Sequence, residues 1–176
     1  MNQYIFALLL FLPAGLANAV PPLINKVPFI NRWKTPLDFG MTVNSHRMFG
    51  KNKTWRGLLS GMIIGGLCAW LLYPYLGTST GSGTSVSHFF IGAALGFGAL
   101  LGDAIESFFK RQLNIASGNS WLVFDQLDYV IGAIIFSFPF VRLGLIDYGV
   151  VVLVYFSLHF VISYLGYLLG FKDKPI

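Results

Sequence analysis

Long apolar stretches without charge dominate this sequence. Tyr4–Ile24 carries no charged side chain over 21 residues, and Tyr148–Phe171 carries none over 24. A helix needs about 20 mostly apolar residues to cross a membrane. A soluble domain has about 25% charged residues, whereas this chain has only 11%. We therefore expect an all-α integral membrane protein and exclude a soluble domain.

Three further stretches extend this pattern. Gly57–Leu76 is uncharged, and two shorter uncharged runs, His88–Gly102 and Tyr129–Val141, each adjoin acidic residues. The fourth helix reaches spanning length only if Asp125 and Asp128 lie in its first turns. The pattern predicts five transmembrane helices in a single domain, residues 1–176, at about 4–24, 57–76, 88–113, 125–142 and 148–171. Residues 77–87 are nearly all Gly, Ser or Thr, which is typical of a flexible connector.

The first stretch has an alternative interpretation as a cleaved signal peptide. Ala17-Asn18-Ala19 resembles a signal-peptidase site that follows an apolar run. A signal peptide begins with positive charge, and the first three residues carry no basic side chain. We therefore expect the helix to be retained.

The basic residues are distributed asymmetrically about these helices. The predicted loop 25–56 carries seven of the twelve: Lys26, Arg32, Lys34, Arg47, Lys51, Lys53 and Arg56. The third loop and the C-terminus share its side and add four more, which leaves Arg142 alone opposite. The positive-inside rule therefore predicts an outside N-terminus and a cytoplasmic C-terminus. We interpret the net charge of +5 as affinity for a membrane surface, with no nucleic-acid partner.

Polar residues form a stripe at the end of the third predicted helix. Asp103 and Glu106 are three positions apart, and Ser107, Lys110 and Arg111 continue the same helical face. An acid within a membrane costs about 2.5 kcal/mol or more unless it is partnered, so such residues usually have a function. This stripe predicts a functional site at the cytoplasmic end of the helix.

A second acidic pair begins the fourth helix. Asp125 and Asp128 share a helical face, and the topology brings them to the same side as Asp103. A structural interpretation is open, in which Lys110 pairs with an acid and the aspartates cap a helix. Clustered carboxylates also suit a hard cation such as Mg²⁺, and the adjacent basic pair suits phosphate. We favour the functional interpretation because three aspartates adjoin that pair.

These residues resemble a known signature. Gly102–Arg111 reads GDAIESFFKR, and Phe124–Asp128 reads FDQLD. The order of G-D, E-S, K-R and D-x-x-D resembles membrane-embedded CTP-dependent cytidylyltransferases, the CDP-diacylglycerol synthase superfamily. Lys51–Gly57, KNKTWRG, resembles the basic stretch before a helix in these enzymes. Residues 112–121 lack the K-D and G-H-G-G elements of the bacterial and eukaryotic branches, so the chain most resembles the archaeal CDP-archaeol synthase branch.

The resemblance implies a reaction and a set of roles. A geranylgeranyl-ether glycerol phosphate would attack the α-phosphorus of CTP, giving CDP-activated lipid and pyrophosphate. The implied catalytic residues are Asp103, Asp125, Asp128 and Lys110, and the three aspartates would hold one or two Mg²⁺ ions. Substrate contacts are implied for Lys53, Thr54, Arg56, Glu106, Ser107, Lys110 and Arg111. We expect Lys26 and Lys34 to lie away from the nucleotide.

Alternative functions stay open from the sequence alone. A phosphatidate cytidylyltransferase is a related enzyme, and a CDP-alcohol phosphotransferase is an unrelated one that needs a D-G-x-x-A-R motif not found here. A small cation transporter is the non-enzyme alternative, although its ionisable groups should extend to both membrane faces. The sequence leaves the oligomeric state open, with a homodimer as the candidate assembly.

Overall fold

The computed structural model contains five α-helices and a small hairpin. It describes residues 2–76, 85–116 and 119–170. The elements, in chain order, are α1 (Gln3–Ile24), a 3-10 turn (Ile30–Arg32), β1 (Thr42–Val43), β2 (His46–Arg47), α2 (Trp55–Leu76), α3 (Ser85–Gln112), α4 (Phe124–Ser137) and α5 (Leu145–Leu168). The predicted connector mostly lies outside the described residues, and its last three residues belong to α3.

The five predicted helices are confirmed, and four of them are long and apolar enough to cross a membrane: α1, α2, α3 and α5. Helix α4 has only 14 residues, or about 21 Å at 1.5 Å per residue. The prediction that it extends to residue 142 is wrong. The helical hydrogen bonding ends at Ser137, because Pro139 has no amide to continue the helix. The Ser137 carbonyl accepts the amides of Phe140 and Val141 in a turn.

Helices α1 to α4 share one apolar core. Leu10 and Phe11 of α1, Leu95 of α3 and Val130 of α4 are almost fully buried in it. Helix α5 adds Val151 to this core but leaves most of its apolar surface exposed. A largely uncovered apolar helix is the expected arrangement where lipid replaces water.

Glycines bring α3 against α4 almost backbone to backbone. A Cβ at Gly98 would lie 2.6 Å from the carbonyl oxygen of Gly132, and a Cβ at Gly102 would clash with that of Asp128. Small residues four apart allow such close approach in membrane helices. This contact fixes the start of α4 beside Asp103, and so determines where the acidic residues meet.

The segment between α1 and α2 is folded over the same end of the bundle. Strands β1 and β2 pair antiparallel, and Pro36 forms a bridge with Thr54. The hairpin reaches α3 where the carboxamide of Gln112 donates to the carbonyl of Val43, at 3.5 Å. The basic loop predicted from sequence is therefore a small polar layer that covers the ends of α2 and α3.

Candidate active site

Three acidic side chains converge where α3 meets α4. Carboxylate oxygens of Asp103, Glu106 and Asp128 all lie within 4.8 Å of one another. Asp103 and Glu106 share a face of α3 because they are three positions apart, and the glycine contact brings Asp128 to that face. We call these three residues the carboxylate cluster. Of the three aspartates predicted to hold metal, the structure brings Asp103 and Asp128 together in this group, whereas Asp125 lies outside it.

Lys110 connects the cluster to the fourth acid. Its ammonium lies 2.7 Å from Asp125 and 3.4 Å from Glu106 Oε1, and its side chain is only 9% exposed. The second oxygen of Asp125 accepts the backbone amide of Trp121 at 2.9 Å. The structural pairing of Lys110 with acids is thus present, and Asp125 holds this lysine.

One oxygen in the cluster has no hydrogen-bond donor. Glu106 Oε1 is buried and accepts no hydrogen bond from the described residues, although the Lys110 ammonium is within ion-pair distance. Buried polar atoms are almost always satisfied, so this oxygen is suited to accept a cation or a water molecule as its partner.

The donor set fits a hard divalent cation. Every potential ligand in the cluster is a carboxylate oxygen, which Mg²⁺ prefers to nitrogen or sulfur. Metal ligands must be deprotonated, and in that state the four carboxylates of the cluster and Asp125 exceed the ammonium groups of Lys53 and Lys110 by two negative charges. A divalent cation would neutralise both charges.

The loop contributes a lysine directly to the cluster. Lys53 Nζ lies 2.6 Å from Asp103, across fifty positions of sequence. Its backbone is held by pairing with the segment before the hairpin, since Leu37 N–H donates to the Lys53 carbonyl at 2.8 Å. The chain thus brings one cation to the cluster from α3 and another from the loop.

Asp38 organises the loop from its centre. It is fully buried, and its carboxylate accepts from Arg47 and from the backbone amides of Gly40, Phe49 and Gly50. Burial alone would raise the pKa of Asp38, but these donors outweigh it and lower that pKa from 3.8 to about 2. Asp38 is therefore an ionised residue whose hydrogen bonds hold the loop together, a role that the sequence pattern did not identify.

A polar cavity lies beside the loop segment that carries Lys53. Its volume is about 410 Å³. The lining residues are all basic or uncharged polar: Asn25, Asn31, Lys34, Lys51, Asn52, Thr54 and Arg56. Lys34, which was expected to lie away from the nucleotide, lines this cavity together with Thr54 and Arg56. Lys26 is not among the lining residues.

Arg56 is the most deeply placed cation of this cavity. It is 6% exposed. It donates to the carboxamide oxygens of Asn31 at 2.8 Å and Asn25 at 2.5 Å, and to the Ile30 carbonyl at 3.3 Å. Its Nε is buried without a partner among the described residues. The two asparagines had no signal in the sequence, because isolated asparagines in a loop are common.

The remaining predicted site residues lie at the edges of these two features. Thr54 accepts the Gly57 amide at 3.3 Å and so begins α2. Ser107 is buried on α3 next to Glu106, and Arg111 is half-buried one position after Lys110. The predicted substrate roles of these three side chains stay predictions.

Comparisons with known proteins match this arrangement. A sequence model of the family described as CarS-like, CDP-archaeol synthase, matches residues 1–176. A CDP-archaeol synthase of Thermofilum pendens is 39% identical, covering 96% of this chain and 79% of that protein. A CDP-archaeol synthase of Pyrococcus furiosus is 32% identical, covering 99% of both chains.

A solved structure is also similar over most of the chain. It is described as an intramembrane enzyme for archaeal membrane lipid biosynthesis, and it superposes with a TM-score of 0.72 at 29% identity. The match covers 89% of this chain and 92% of that one.

Proposed function

This chain belongs to the CarS-like family of CDP-archaeol synthases, and from that premise we propose that it transfers the cytidylyl group of CTP to a geranylgeranyl-ether glycerol phosphate. A phosphate oxygen of the lipid forms a bond to the α-phosphorus of CTP. The bond from that phosphorus to the bridging oxygen breaks, and pyrophosphate leaves. The products are a CDP-archaeol-type lipid and pyrophosphate.

One observation carries this proposal. An all-oxygen carboxylate cluster lies between two lysines at the end of a membrane-embedded helix bundle. Nucleotidyl transfer needs little covalent chemistry from a protein, but it needs positioned charge to stabilise the reacting phosphates. A membrane location is also where a lipid phosphate and a soluble nucleotide can meet.

The cluster fits a divalent metal, which we propose to be one or two Mg²⁺ ions. Asp103 and Asp128, together with Glu106 or Asp125, would hold it. When bound, Mg²⁺ neutralises phosphate charge and aligns the attacking and leaving oxygens. Without metal, the same carboxylates would repel CTP.

The two lysines would act on the phosphates. Lys110 is held by Asp125 and Lys53 by Asp103. Their ammonium groups would bind the triphosphate and the departing pyrophosphate. Arg111 and Ser107, beside Lys110 on α3, would contact the lipid phosphate. Desolvation by the helix ends would strengthen each charge interaction.

The direct experiment is CTP-dependent lipid labelling. The purified full chain in neutral detergent should incorporate label from α-³²P-CTP into lipid with the ether-lipid phosphate and Mg²⁺. Label from γ-³²P-CTP should appear in pyrophosphate instead. Faster labelling of an ester phosphatidate would favour the phosphatidate cytidylyltransferase alternative, and no labelled lipid would overturn the proposal.

We further propose that the site faces the cytoplasm, where CTP is available. The protein is a multi-pass membrane protein, and the charge asymmetry supports a cytoplasmic loop 25–54. In a Cys68→Ala background, an impermeant thiol reagent added outside should label Tyr75→Cys, at the far end of α2, and spare Lys34→Cys. The reverse labelling would overturn this orientation. A homodimer stays a prediction that native mass spectrometry can test.

A further inference from the structure

The Arg56 cavity and the carboxylate cluster lie on two sides of one short segment. Lys53 directs its ammonium to Asp103, while Asn52 and Thr54, its neighbours, line the cavity. A molecule that reaches both features would place its charged part at the cluster and another part in the cavity. A nucleoside triphosphate has this form, with phosphates at one end and a base at the other.

Arg56 fixes two carboxamide groups in a known orientation. A guanidinium has only donors, so the atoms that Asn25 and Asn31 present to Arg56 must be their oxygens. The Nδ2 groups of both side chains therefore point away from Arg56. Both asparagines line the cavity, and an Nδ2 group that does not face Arg56 can donate to a molecule bound there.

We propose that Asn25 and Asn31 select cytosine by donating from Nδ2 to its O2 and N3 atoms. This inference rests on the proposed function, because it assigns a base-reading role within the same nucleotide site. Cytosine has acceptors at both positions, whereas uracil carries a hydrogen on N3. A donor that faces uracil N3 meets another donor, so UTP leaves a desolvated polar pair unmatched.

A simple phosphate pocket fits these observations less well. Three acceptor oxygens already occupy the Arg56 guanidinium: those of Asn25, Asn31 and Ile30. They lie at its two terminal nitrogens, where an anion would have to displace them, and the unpartnered Nε is buried. The lysines of the cavity, Lys34 and Lys51, are exposed, which suits contacts with the ribose or the phosphates near the mouth.

The test compares turnover of CTP and UTP by the purified full chain. Asn31→Asp keeps an oxygen for Arg56 but replaces the Nδ2 donor with an acceptor, which matches uracil N3–H. The ratio of kcat/KM for CTP to that for UTP should fall at least about tenfold. Asn25→Asp should shift it in the same direction, and Asn31→Ala should lower the ratio without adding charge.

Asn2→Asp is the matched control. Asn2 caps the opposite end of α1 with its side-chain oxygen, a role that Asp also fills, so the CTP-to-UTP ratio should not change. Folded Asn31 and Asn25 variants that lose CTP and UTP turnover in equal proportion would overturn the inference. So would an unchanged ratio.

A second measurement needs no variant. Cytidine monophosphate should bind the wild-type protein at least about tenfold more tightly than uridine monophosphate, and equal affinities would overturn the inference. Wild-type protein that binds the cytidine nucleotide selectively but forms no labelled lipid would overturn the proposed function alone. The two failures are therefore distinguishable.

Discussion

The carboxylate cluster and the loop above it cover the same end of the molecule, yet different forces hold them. The cluster lies on α3 and α4, whose backbones touch at Gly98, Gly102 and Gly132. The loop is held mainly by side-chain hydrogen bonds to Asp38 and by short backbone pairing. Substitutions on the helices should therefore lower catalytic turnover or the stability of the fold, whereas substitutions in the loop should alter nucleotide affinity.

The largest expected effect is at the carboxylates. Asp103→Asn or Asp128→Asn keeps the shape of the side chain but removes the charge that would bind the cation. Each should lower kcat by about 10²–10³-fold and raise the Mg²⁺ concentration needed for half-maximal lipid labelling. Glu106→Gln should raise the Mg²⁺ requirement as well.

Asp125→Asn sharpens this prediction, because Asp125 contacts Lys110 and the Trp121 amide. It should lower activity by about 10²-fold but shift the Mg²⁺ requirement less than Asp103→Asn does. Asp147→Asn, at the start of α5, should leave the Mg²⁺ requirement unchanged. Near wild-type turnover of a variant of Asp125 or of any residue of the carboxylate cluster, measured at saturating Mg²⁺, would remove that residue from the site.

Substitution at the glycine contact between α3 and α4 should have the next largest effect, on the stability of the fold. An alanine at Gly132 would place its Cβ against the Gly98 carbonyl, so the helices must separate at a cost of about 3 kcal/mol. Gly149→Ala on α5 is the control, since a Cβ there meets nothing within 4 Å. Detergent unfolding should show a clear loss only for Gly132→Ala, and equal stabilities would contradict the backbone contact.

Asp38→Asn should loosen the loop while the helices stay folded. The buried carboxylate accepts from Arg47 and three amides, and replacing one oxygen with a donor should cost about 2 kcal/mol locally. Hydrogen exchange at Phe49 and Gly50 should accelerate, and KM for CTP should rise. Unchanged exchange would show that the pairing of Pro36 with Thr54 suffices.

The same carboxylate predicts a pH dependence of the loop. The pKa of Asp38 is lowered from 3.8 to about 2, so the folded loop favours the ionised form. Its stabilisation should be complete above about pH 4 and should disappear as pH falls toward 2. Hydrogen exchange across this range should show the change in wild type and not in Asp38→Asn.

The smallest expected effect is at single loop cations. Lys53→Ala removes the ammonium beside Asp103 and should raise KM for CTP about tenfold, or about 1.4 kcal/mol. Arg56→Ala should also raise it. Lys26→Ala, outside the cavity lining, should change it little in neutral detergent. Equal CTP kinetics for all three variants would indicate that the loop binds the membrane surface and does not contact the nucleotide.

Much of the helical part could be predicted from the sequence. Apolar stretches identified five helices because lipid requires every backbone polar group to be satisfied within the segment. Spacing of three placed Asp103 and Glu106 on one face, since helical geometry fixes that relation locally. The end of α4 was placed too late because apolar composition continued past Ser137, although Pro139 interrupts the ladder.

The sequence determined less about the loop. It identified seven basic residues but could not separate Lys53, which reaches Asp103, from Arg56, which holds two asparagines. Charge alone does not specify a partner, and these partners are 25 to 50 positions away. The role of Asp38 was missed because charge alone did not identify its donors, although they lie only 2 to 12 positions away.

By itself, then, the sequence determined the helices, the polar stripe and the family signature, because each depends on periodicity or on neighbouring residues. Only the tertiary structure decided that Glu106 joins Asp103 and Asp128, that Asp125 holds Lys110, and that a separate polar cavity lies beside them. Those relations depend on how closely two helices approach and where a long loop turns back. Such distances are set by contacts between residues far apart in the chain, and local pattern does not encode them.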